Sequence, residues 1–113
     1  MTLNDPNPID KRLRERQARI AAELGQAGFA LPGTVLVRTM TCGRPNCRCH
    51  ADPPRLHGPY FQWTRKINRK TVTRNLTEEQ WKRYKQWFDN AKRLRELLAE
   101  LETLSMEIVD QDT

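Results

Sequence analysis

The sequence predicts an α+β fold: an N-terminal helix, a small three-stranded antiparallel sheet with a zinc-binding loop, and a long C-terminal helix with heptad character. Three observations carry this. Stretches near both ends have apolar residues at helical spacing with no proline among them. Between them lie three short runs rich in β-branched and aromatic residues, set apart by turn formers. All three cysteines of the 113-residue chain fall within eight positions, in the connection between the first two of those runs.

Residues 1–8 are polar, contain two prolines, and are expected to form a disordered arm. Residues 9–113 are read as one zinc-stabilised domain. Asp10 is the expected N-cap of a helix over 9–26, with Ile9 as a staple before the cap. Leu13, Gln17, Ile20, Ala21 and Leu24 form its inner stripe, and Gly25 and Gly28 end it. The sheet is expected over 33–76. Its first strand is Gly33 to Met40, its second Tyr60 to Lys66 and its third Thr71 to Leu76, with Asn68 in the turn of the hairpin.

A capping box, Thr77 with Gln80, opens the last helix, expected over 77–109. Trp87, Leu94, Leu101 and Ile108 repeat every seven residues, Tyr84, Ala91 and Leu98 are companions, and Leu97 and Leu104 widen the stripe. This is coiled-coil spacing. Packing against the first helix explains part of it. A helix this long outreaches the first and leaves apolar surface for a partner chain or a second copy, so an oligomer is expected.

The connection at 42–57 is the chemical centre of the chain. It runs Cys42-Gly-Arg-Pro-Asn-Cys47-Arg-Cys49-His50, then Asp52-Pro-Pro-Arg-Leu-His57-Gly-Pro-Tyr60. Zinc takes three thiolates and one imidazole in closed structural sites with four protein ligands. The ligand spacing departs from the usual zinc patterns, with gaps of four and one between the cysteines. A disulfide with a spare thiol is disfavoured by the odd cysteine count, and ordinary buried thiols by the polar turn they occupy. A catalytic cysteine beside His50 leaves two thiols unexplained. Adjacent side chains diverge in an extended chain, so Cys49 and His50 do not readily share an ion. The expected ligands are Cys42, Cys47, Cys49 and His57, with His50 the alternate; iron in place of zinc stays open, though the donor set leans to zinc.

Charge is unevenly placed. Of the formal +6, residues 1–76 contribute net +9 and residues 77–113 net −3. From Arg38 to Arg74, nine basic residues face Asp52 alone. A basic region with interleaved aromatics points to nucleic acid, DNA more than RNA. Arg44, Arg48 and Arg55 on the loop, and Arg65, Lys66, Arg69, Lys70 and Arg74 on the hairpin, are the expected phosphate contacts. Tyr60, Phe61 and Trp63 either stack on bases or pack the sheet. The alternative is an adaptor that docks through Trp87, Leu94, Leu97, Leu98, Leu101, Leu104 and Ile108 without touching nucleic acid. No Gly-rich phosphate loop, paired active-site carboxylates or Ser/His/Asp set is visible, so no enzyme is expected. No apolar run approaches a bilayer span of roughly 20 residues, and the N-terminus has no secretion signal. Reduced thiols then fit a cytoplasmic protein.

The segment C-G-x-x-x-C-x-C (Cys42, Gly43, Cys47, Cys49), then His57-Gly58-Pro59-Tyr60, Trp63, Lys70-Thr71 and a Leu-rich helix resembles a family of small uncharacterised bacterial proteins, over about residues 33–105. The cysteine and H-G-P-Y parts are specific and the helix is generic. The resemblance implies frequent association with mobile elements, and so a DNA-related accessory role beside a recombinase or transposase. It also implies His57 rather than His50 as the ligand, because H-G-P-Y belongs to the pattern. It carries no assigned activity.

Overall fold

The computed structural model describes residues 9–112, so the expected arm at 1–8 lies outside the described residues. The elements are α1 (Lys11–Gly25), β1 (Thr34–Met40), β2 (His57–Ile67), β3 (Lys70–Leu76) and α2 (Glu78–Gln111), with one turn of 3-10 helix at Arg48–His50. This is the α+β arrangement expected. The chain gathers into two compact units, one of residues up to Ala30 together with Asp89 onward, the other of Leu31–Phe88. The helix α2 contributes to both.

In the first unit, Asp10 caps α1 by accepting a hydrogen bond from the Leu13 N–H at 2.9 Å. Leu13 and Ile20 of α1 pack on Leu97 and Leu104 of α2, with Ile9, Leu24, Leu101 and Ile108 around them. Two ion pairs, Arg93 with Glu23 at 3.1 Å and Arg16 with Glu107 at 3.3 Å, set the two helices antiparallel. The buried stripe therefore runs Ala91, Leu97, Leu104, with Leu101 and Ile108 half-buried. Leu98 is 51% exposed, and Met106 and Val109 are also exposed. At about 100° per residue, Leu98 lies about 100° round the helix from Leu97 and about 120° from Leu104. Two of the expected partner-helix residues, Leu97 and Leu104, are thus taken up inside this chain. The helix α1 ends differently from expectation: Gly25 is its last residue, Gln26 caps it with φ of −106°, and the positive φ comes later, at Gly28.

In the second unit the sheet order is β1-β2-β3, antiparallel throughout. The hairpin turn places Asn68 at φ 50° and Arg69 at φ 70°. Two successive positive φ angles give the turn that follows the strands' right-handed twist. Thr77 and Gln80 cap α2 reciprocally, at 3.1 and 2.9 Å. The first turns of α2 then cover one face of the sheet. Phe61 stacks on Trp81 with ring centroids 5.8 Å apart, and Trp63 meets Phe88 edge-on at 5.7 Å. Leu76, opposite Phe61, is buried beside them. The Trp63 indole N–H donates to the Pro32 carbonyl at 2.8 Å, and the Leu31 N–H to the Trp87 carbonyl at 3.0 Å. Trp87, paired with Tyr84 at 4.9 Å, thus belongs to this unit, not to the leucine stripe.

The strand β2 begins at His57, three residues earlier than expected, so H-G-P-Y is part of the sheet. Met40 pairs with His57 across a register shift between Arg38 and Met40. Gly58 makes the step, at φ +117°, where a Cβ would stand 2.8 Å from the Arg38 carbonyl oxygen. Only glycine fits such a close backbone approach. No helix among the described residues is long and apolar enough to cross a membrane.

Candidate metal centre

The loop between β1 and β2 folds its four candidate ligands together through backbone bonds. The Cys47 N–H donates to the Arg44 carbonyl at 3.1 Å, closing a turn over Arg44 to Cys47. One 3-10 turn follows, with the His50 N–H on the Cys47 carbonyl at 2.9 Å. The Arg55 N–H then bonds back to the Arg48 carbonyl at 3.0 Å and returns the chain to β2. Cys42 leaves the end of β1, and His57 starts β2. The sheet's own pairing thereby brings the two ends of the loop together.

The three sulfurs and one imidazole nitrogen all lie within 4.8 Å of one another. The Sγ atoms of Cys42 and Cys49 are 3.6 Å apart, and Cys47 Sγ stands 3.3 Å from His57 Nε2. A tetrahedral zinc with bonds of about 2.3 Å to sulfur and 2.0 Å to nitrogen needs edges of about 3.8 Å and 3.5 Å. The observed separations fit that shell. They do not fit a disulfide, whose sulfurs sit about 2.05 Å apart, and all three cysteines are free. The cluster is therefore a candidate metal centre of three thiolates and one imidazole.

At Cys47 the surroundings favour anionic sulfur. The Cys49 backbone N–H, then its thiol, hold the Cys47 thiol down from 9.0 to about 6. Cys49 is 1% exposed, and burial pushes its thiol up. A coordinated cation reverses that, since it deprotonates a ligating thiol outright. The Cys42 N–H already donates to Cys49 Sγ at 3.3 Å, so this sulfur has one partner suited to negative charge. His50 is turned elsewhere. Its Nε2 lies 2.7 Å from the Cys42 carbonyl and donates to it, outside the ligand set.

The basic residues do not share one face. Arg44, Arg48 and Arg55 are exposed on the metal loop, and Arg69 sits in the hairpin turn at the other end of β2. Register puts Arg65, Lys70 and Arg74 on the α2-covered side of the sheet and Lys66 on the other. Arg65 is committed to packing: its guanidinium lies 3.9 Å over the Trp63 ring, with Nη1 shut off from solvent and without a hydrogen-bond partner. The aromatics divide likewise. Phe61 and Trp63 pack against α2, whereas Tyr60 lies on the opposite face beside Arg38, Met40, Gln62 and Asn75. Arg38 was visible in the sequence only as one end of the basic stretch. Alternation from Trp63 places Tyr60 on the other face of β2, but Arg38 joins it through the β1–β2 register, which has no signal within either strand.

No curated protein and no solved structure matches the chain. One family model does, described as a domain of unknown function (DUF6788), over residues 7–86. That match takes in α1, the sheet, the whole metal loop and the first turns of α2, and this chain belongs to that family.

Proposed function

We propose that the chain is a zinc-stabilised nucleic-acid-binding accessory protein, with DNA as its polymer. Three thiolates and one imidazole suit zinc, and the ion would pin the turn-rich loop to the sheet. A structural zinc of this type contributes about 10 kcal/mol or more, which is large against the net stability of a small domain. With three thiolates and one neutral imidazole around a divalent ion, the loaded centre would carry net −1 charge. Arg44, Arg48 and Arg55 more than offset it.

The observation that carries the reading is the pairing of charges. Among the described residues, every ion pair lies on the helices, and none of the nine basic residues from Arg38 to Arg74 has a carboxylate partner. Unpaired cations gathered in one unit favour a polyanion. The role assigned is binding, not catalysis: the cysteines are taken up as ligands, and His50 has no orienting partner beyond a backbone carbonyl. In the setting that the sequence resemblance implies, such a module would serve a recombinase or transposase of a mobile element in the cytoplasm.

The test is a mobility shift with duplex DNA at rising salt. The affinity should fall with a log–log slope of roughly −0.9 per phosphate contacted. Reversing Arg44, Arg48, Arg55, Arg69 and Lys70 to glutamate should abolish the shift and leave the fold intact. Arg65 is left out because it packs on Trp63. Undiminished binding by the reversed protein would remove the reading.

One observation favours the adaptor as a second reading. Leu98 and Val109, eleven residues apart, face the same side of α2 and are both exposed. A partner helix lying there would cover them. Light scattering that shows a strict monomer, unchanged by Leu98→Asp, would argue against self-association through this side.

A further inference from the structure

We propose that the uncovered face of the sheet binds single-stranded DNA, with Tyr60 as the stacking platform. The inference rests on the nucleic-acid reading above and adds the form of the ligand and the surface that takes it.

The pleat decides which residues are available. Phe61, Trp63 and Leu76 point to the side covered by α2, so their neighbours point away. That second face carries Leu36, Arg38, Met40, Tyr60, Gln62 and Asn75, with Lys66 toward the hairpin end. It is open: Leu36 is 58% and Met40 45% exposed. Large apolar side chains left uncovered on a sheet face call for an occupant.

Charge selects a polyanion. The three strands hold no carboxylate, and the one acid between Thr34 and Leu76 is Asp52, in the loop. Arg38 and Lys66 stand on the open face itself.

Shape and chemistry select unpaired bases. Arg38, Met40, Tyr60, Gln62 and Asn75 line a shallow hollow of about 110 Å³. A hollow this small takes one planar group, not a duplex. Gln62 Oε1 accepts from Arg38 Nη1 at 3.4 Å, which leaves the Gln62 amide N–H groups and the whole Asn75 amide for a base edge. Bases in a duplex are stacked on one another, so only a single strand can lay a base on the Tyr60 ring. The strand β2, 11 residues long, spans about 33 Å and has room for several nucleotides beside it. Leu36 and Met40 favour DNA. Apolar contacts suit a thymine methyl and a deoxyribose, whereas a ribose 2′-hydroxyl laid on them would lose its hydrogen-bond partners.

The experiment is fluorescence anisotropy of the zinc-loaded full chain with labelled oligo(dT), oligo(rU) and a duplex of equal length, at low salt. Oligo(dT) should bind at least tenfold more tightly than either other probe. Tyr60→Ala should weaken oligo(dT) binding by about 5- to 160-fold, the range for loss of one stacked base, and leave duplex binding unchanged. Tyr60→Phe should retain it. If Tyr60→Ala does not fold, photo-cross-linking of wild-type protein to iodouracil-substituted oligo(dT) decides, and the adduct should map to Tyr60 or Met40. Equal binding of strand and duplex with no effect of Tyr60→Ala, or an adduct mapping elsewhere, overturns the inference and leaves the phosphate-binding reading standing. Preference for oligo(rU) overturns the assignment to DNA. Failure to bind any probe overturns both readings, and the Leu36–Met40 patch then belongs to a protein partner.

Discussion

Leu97 and Leu98 are neighbours in sequence and opposites in the fold, so truncating each to alanine gives a controlled comparison. Leu97 is 1% exposed and sits with Leu13, Ile20 and Leu104. Leu97→Ala removes three carbons from that cluster, about 2.4 kcal/mol at 0.8 kcal/mol for each buried group. The hole left behind closes only in part, which raises the cost to about 3–4 kcal/mol. Leu98 is 51% exposed. Its truncation forfeits roughly half of the transfer term and opens no cavity, so the cost is about 1 kcal/mol or less. Urea titration followed by helical ellipticity reads both. With a slope of about 1–3 kcal/mol per molar urea, Leu97→Ala should move the midpoint by about 1 M or more and Leu98→Ala by about a third of that or less. Equal shifts, or a larger one for Leu98→Ala, would refute the assignment of the inner stripe and return the heptad register to consideration.

Three further outcomes are expected. Cys47→Ser should lower zinc content and the melting temperature together, whereas His50→Ala should change neither, since His50 bonds only the Cys42 carbonyl; metal analysis beside calorimetry checks this. Gly58→Ala should destabilise by about 1–3 kcal/mol or more and loosen zinc, because the added Cβ meets the Arg38 carbonyl next to the candidate ligand His57; competition with a chromogenic chelator reads the affinity. Arg69→Gly should stabilise the hairpin by about 1 kcal/mol, since a side chain at φ 70° carries the left-handed penalty that glycine escapes; a chemical melt of the variant measures it.

Much of this architecture is legible in the sequence because its signals are local. Asp10 and the Thr77–Gln80 pair mark helix starts by side-chain hydrogen bonds to nearby backbone, and the structure contains both. The metal loop is legible for the same reason: four candidate ligands within sixteen positions leave few ways to converge. What escaped depends on partners remote in the chain. Heptad spacing treats Leu98 and Leu97 as one broad stripe, but a short antiparallel neighbour covers a narrower one, and which one is decided by Leu13 and Ile20. Alternation along β2 gives the period of the strand but not which face α2 will cover, so Arg65 and Lys66 look equivalent in sequence. In the fold one stacks on Trp63 and the other stays exposed on the open face. The early start of β2 was hidden by the turn-forming look of His57-Gly58-Pro59, which the register shift at Arg38 to Met40 absorbs.

The central claim is that three sulfurs and one imidazole close around a single zinc. X-ray absorption at the zinc edge of freshly purified, reduced protein, with the metal quantified per chain, tests it most directly. The account predicts one zinc per chain, with three sulfurs at about 2.3 Å and one nitrogen at about 2.0 Å. A chain that holds no metal, one that holds iron instead, or a zinc shell without three sulfurs would contradict it.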